Sequence, residues 1–179
     1  MKNEKKNRFV GNRQEMNIFF LHMNPRICAQ MHVDKHVIKM ILETCQLLCS
    51  AVHLNGTYTP PYKLTHKNHP SSLWTRKSLN NYNWLCELGI ELCKEYTYRY
   101  GKIHKTQKHI EFLKKNPPLL PDDQFTLPPA VMPENYKKND VVFSYRYYIL
   151  YEKTDLLSWS GKIAGRQTPE WVKQITNIL

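Results

Sequence analysis

Acidic side chains are the scarce class in this chain of 179 residues: 15 Asp plus Glu stand against 26 Lys plus Arg, a formal charge of +11. A field of that sign concentrates polyanions, so nucleic acid is the expected partner, with a merely solvated basic surface as the bland alternative. There is no CxxC pair, and the cysteines Cys28, Cys45, Cys49, Cys86 and Cys93 are odd in number. They read as reduced core thiols, which points to a cytosolic or nuclear compartment. No apolar run approaches the roughly 20 residues that span a bilayer. The N-terminus is charged instead of signal-like, so the chain is expected to be intracellular, neither secreted nor membrane-spanning. Internal repeats and low-complexity tracts are absent as well.

What is present suffices for one core. A hydrophobic fraction of 41% and an aromatic fraction of 12% can fill it, and the length suits a single domain of about 100–200 residues. The expected fold class is mainly α: a compact helical bundle with a short N-terminal extended segment and a proline-rich C-terminal arm. Residues 1–15 read as a flexible basic extension. Residues 16–179 read as one helical domain, opened by the apolar run after Met16 and crossed by an arm at 117–133 whose prolines forbid a regular ladder.

Apolar offsets of three and four predict one helix from Pro25 to Ser50 through Val33, Val37, Met40, Ile41, Leu47 and Leu48. A second runs from Pro70-Ser71-Ser72 to Tyr100 and stops at Gly101. A third is expected around Thr106 to Lys115, a fourth capped by Asp140, and a last one opening at Thr168-Pro169-Glu170.

At roughly 100° per residue, His32, His36, Lys39 and Glu43 fall within about 60° of one another on the first helix and border its apolar face. Lys39 and Glu43 at i, i+4 could be a surface ion pair and the histidines boundary residues. Acid, base and imidazole on one stripe beside a core favour a site. A second polar cluster at Thr65 to Pro70 precedes the second helix, where Arg76 and Lys77 follow, and backbone donors at a helix start suit a phosphate. Cations and aromatics interleave at Tyr96–Lys105 and Ser144–Lys153; such runs can stack bases and hold phosphates, although core or boundary packing is the favoured reading of the tyrosines.

Several of these motifs resemble the pyrimidine-dimer DNA glycosylase family of the endonuclease V type. They are the apolar start at Asn17–Leu21, Asp34-x-His36 followed seven residues later by Glu43, the Asn68-His69-Pro70 turn and the helix end Tyr96–Lys102. The resemblance covers roughly residues 16–105. It implies a helical domain that binds damaged double-stranded DNA, needs no cofactor, and attacks C1′ through a terminal amine to form an imine and then eliminate the 3′ phosphate. Under it Glu43 stabilises charge and shuttles protons, His32 and His36 position it or a phosphate, and Lys35, Lys67, Asn68, His69, Arg76, Lys77 and Arg99 hold DNA. The resemblance places the amine at Asn17, but here fifteen residues precede Met16. A later start, a substitute such as Lys39 or Lys35, or absence of lyase activity all remain open.

Two other readings compete. His32, His36, His66 and His69 could ligate zinc or manganese in a metal-dependent nuclease or hydrolase, although no HExxH pattern is present. Alternatively, the chain is a noncatalytic nucleic-acid-binding protein, virus-encoded and acting in a host cell. No membrane or protein partner is predicted.

Overall fold

The computed structural model describes residues 16–178, so the expectation for residues 1–15 lies outside the described residues. The fold is mainly helical, in agreement with the sequence: α1 Pro25–Met31, α2 Asp34–Asn55, α3 Pro70–Thr75, α4 Leu79–Tyr100, α5 Gln107–Lys115, α6 Val141–Glu152 and α7 Glu170–Ile178. No strand forms among the described residues. The long pair α2 and α4 is the spine, with α1, α3 and α5 packed on it, while α6 and α7 pack together.

α2 has the length and apolarity of a bilayer span. Val37, Met40, Ile41, Leu47 and Leu48 are nonetheless buried against the rest of the fold. Each such side chain contributes roughly 1.5–3 kcal/mol relative to exposure. Close approach at the crossing depends on Gly89, where a Cβ would lie 3.0 Å from Thr44 and 3.1 Å from Ile110. All five cysteines are free and buried, with burial pushing the Cys28 thiol up to about 11.

Two expected helices are each divided. The predicted helix from Pro25 breaks at His32 and Val33, which are extended with ψ 136 and 153. The carbonyls of Gln30 and His32 accept from the Arg99 guanidinium, and the Asp34 N–H donates to the Ser158 carbonyl. Tertiary partners replace the helical ladder at the break, which no local propensity signals. The second predicted helix is interrupted at residues 76–78. Ser78 restarts it as an N-cap, its hydroxyl accepting from the Asn81 N–H at 3.1 Å. Gly101 ends α4 with φ 67, the left-handed turn that glycine adopts at least cost. The Asp140 cap is present, accepting from the Phe143 N–H at 2.6 Å.

Arm 117–133 carries no helix or strand. It does more than cover the surface: Phe125 packs with Trp74, Trp84 and Phe20, while the Trp74 indole N–H donates to the Thr126 carbonyl at 3.0 Å. The C-terminal third is locked on by charge. Arg99 bonds Asp34 Oδ1 and Glu95 Oε2, each at 3.0 Å; Glu95 Oε1 accepts from Arg166 at 2.6 Å; Asp34 Oδ2 accepts from the Ser158 hydroxyl and the Gly161 N–H.

Candidate active site around Glu43

Glu43 sits three turns into α2, only 4% exposed. Its Oε2 accepts from the Asn17 backbone N–H at 3.2 Å. Its Oε1 lies 3.2 Å from Lys39 Nζ, an i, i+4 ion pair, but makes no hydrogen bond. Burial raises the Glu43 pKa above the ordinary carboxylate value; Lys39 is the larger of the opposing influences, followed by the Asn17 amide and His66. A carboxyl so placed can hold a proton at higher pH than a solvated glutamate and return it to a neighbouring atom, as a general acid or base requires.

The nitrogen of Asn17 is held by its own side chain. Asn17 Nδ2 donates to the Val131 carbonyl at 2.9 Å, and Oδ1 accepts from the Ile18 N–H and lies 2.8 Å from the Tyr145 hydroxyl. The segment behind it is fixed by aromatic packing. Phe19 stacks on His36 at 4.2 Å and meets His32 edge-on at 6.2 Å. On the Lys39 side of Glu43 opens a cavity of about 220 Å³, lined by Ile38, Leu42, Gln46, His104 and Thr106 together with the ion pair.

The predicted stripe therefore holds in part. His36, Lys39 and Glu43 share α2, whereas His32 lies in the break before it and faces the Cys28 carbonyl at 2.8 Å. Burial lowers the His32 pKa to about 4 and the His36 pKa to about 3. Both rings are neutral near pH 7. As neutral rings around Phe19 they support the strand-like segment that carries Asn17, and they are poorly suited to attracting a phosphate.

His66 and His69 face each other with ring centroids 6.1 Å apart. Among the described residues no three His, Cys, Asp or Glu side chains gather as a metal-holding group.

Of the predicted DNA contacts, Lys35, Lys67, Asn68 and Lys77 are exposed. His69 caps α3 by accepting from the Ser71 N–H at 3.1 Å. Half-buried Arg76 donates to the Lys67 carbonyl at 2.8 Å, fixing the turn below which Lys67 projects. His66 adopts φ 50 in that turn, a left-handed conformation uncommon among non-glycine residues but more accessible to histidine than to most.

Arg99 is a correction. It is fully enclosed, and its guanidinium is committed to Asp34, Glu95 and two carbonyls, so no phosphate reaches it. A buried arginine needs this complement of acceptors, and sequence alone does not distinguish one from a surface cation.

Tyr145, Val131, Gln46 and His104 were not singled out from sequence. Only the aromatic run Ser144–Lys153 hinted at Tyr145, and nothing marks the arm residue Val131, which acts through its backbone. No family model, no curated protein and no solved structure matches this chain.

Proposed function

We propose that this protein is a DNA glycosylase with abasic-site lyase activity, acting on damaged or modified pyrimidines. The observation that supports the reading is the pair of nitrogens flanking a buried carboxyl: Asn17 N and Lys39 Nζ each lie 3.2 Å from a Glu43 oxygen, beside a cavity. Imine chemistry needs an amine, a group that moves protons beside it, and room for the sugar.

Asn17 N is an amide in the chain as given, without a lone pair free for attack. Lys39, 46% exposed at its side chain, is the amine next to Glu43. After losing a proton, its Nζ attacks C1′, and the base departs with the C1′–N bonding pair and acquires a proton. The attached nitrogen sheds a proton, the C1′–O4′ bond breaks with O4′ taking a proton, and an iminium links the opened sugar to the protein. Removal of the C2′ proton then expels the 3′ phosphate. Glu43 holds and relays these protons. A form beginning at Asn17 would present a primary amine at the same carboxyl, and the chemistry would be unchanged.

Borohydride reduction with duplex DNA carrying an abasic site or a thymine dimer tests the reading. The expected result is a covalent protein–DNA adduct that falls by about 100-fold or more in Glu43→Gln, the scale of a lost proton-transfer group. A chain that binds DNA yet yields neither adduct nor strand cleavage overturns it. Comparing Lys39→Ala with a form starting at Asn17 identifies the nitrogen that attacks.

A further inference from the structure

Two hollows open along the arm. One, of about 580 Å³, lies between α3 and the arm, with Leu73, Trp74, Arg76 and Lys77 on one wall and Leu127 on the other. The second, of about 440 Å³, is lined by Ala130, Val131, Met132 and Lys137. Pro70 and Pro129 line both, so the hollows adjoin and are treated together as one groove.

Its charge is one-sided. Arg76 and Lys77 stand at one end and Lys137 at the other, with no carboxylate among the lining residues. Glu134 pairs with Lys137 from outside the lining. Between the cations the floor is apolar, and Leu73 and Leu127 are 48% and 52% exposed.

The groove is pinned to the Glu43 site. The Tyr145 hydroxyl lies 2.8 Å from both the Pro129 carbonyl and Asn17 Oδ1 and accepts from the Val131 N–H at 3.1 Å. Val131 in turn accepts from Asn17, whose N–H donates to Glu43.

We infer that this groove is the track for one DNA strand, with arm 117–133 as its outer wall and Lys137 as a phosphate contact. Cations at both ends suit successive phosphates, and the apolar floor suits deoxyribose and base faces. Asn17, bonded to both Val131 and Glu43, fixes the wall relative to the carboxyl. The inference rests on the DNA reading above, but not on the lyase step. It gives a role to a segment beyond residue 105, where the resemblance ends.

The test uses the full chain and a duplex containing an abasic site. Lys137→Gln is expected to reduce the slope of log affinity against log salt by about 0.9, the release expected from one phosphate contact. Borohydride trapping by the wild-type chain on the same duplex reads the lyase step separately. A photo-crosslinking amino acid at position 127 should capture DNA.

Adduct formation with an unchanged slope and no crosslink overturns the groove and leaves the lyase reading intact. A crosslink and a reduced slope without any adduct do the reverse. Failure of the wild-type chain to bind DNA overturns both. A position-127 probe that captures protein in place of added DNA assigns the groove to a protein partner and likewise overturns the inference.

Discussion

Two buried clusters of ionisable groups meet at α2, one at its start and one farther along, and they are built on different plans. Around Arg99 every charge is answered: Asp34 on one side, Glu95 on the other, Arg166 beyond it, and carbonyls for the remaining guanidinium hydrogens. Around Glu43 the answer is partial: half-exposed Lys39 pairs with Oε1, while His36 Nδ1 and His32 Nε2 are buried without hydrogen bonds. A saturated network holds elements together. An unsaturated one keeps its groups ready for a ligand at a cost in stability.

The sharpest way to break this contrast is to remove the centre of the saturated cluster. Arg99→Leu takes the central cation from two buried carboxylates and should cost about 3–5 kcal/mol, a large shift of the unfolding midpoint in denaturant. If the transition survives with little change, the network is not the lock described here.

The opposite outcome is expected at the other cluster. Glu43→Gln removes a carboxyl that burial disfavours in its charged form, so its Tm should hold or rise near pH 7 even as trapping is lost. A large drop in Tm would place Glu43 with the structural ion pairs.

Acid sharpens the comparison further. The unfolded His32 ring gains a proton below its ordinary 6.5, whereas the folded ring does so only at about 4. Between those values the unfolded state holds more protons, so stability is present above 6.5 and is lost as pH falls through this window. The loss is on the order of 3 kcal/mol. His36 acts in the same direction down to about 3. Unfolding free energy measured from pH 7 to 4.5 should fall, and His36→Phe, which keeps the stack on Phe19, should flatten the fall.

The smallest effect on stability belongs to Lys39→Ala. Its ammonium is half-exposed, and such a pair contributes about 0–1 kcal/mol. Denaturant titration should barely register the change.

Helix positions were legible because they depend on local signals: the three-four spacing of α2, the Asp140 cap and the Gly101 stop. The pairing of Lys39 with Glu43 was legible for the same reason. Arg99 was not, because its acceptors come from residues 30–34 and 95, and only the fold shows that they enclose it. The division of α1 from α2 was hidden in the same way. It exists to offer those acceptors, and Val33 at the break is an ordinary helix-compatible apolar residue in the pattern. The arm was recognised as irregular, yet its attachment to Asn17 and Tyr145 depends on backbone groups that no side-chain pattern reports.

The Tyr145 hydroxyl joins Asn17 to the arm across 128 positions. A ribosome delivers Glu43 and Asn17 early and Tyr145 late, so the nitrogen beside the carboxyl is held in register only once α6 has emerged. The contact that ties Asn17 to the arm can therefore close only after the chain has been made past residue 145.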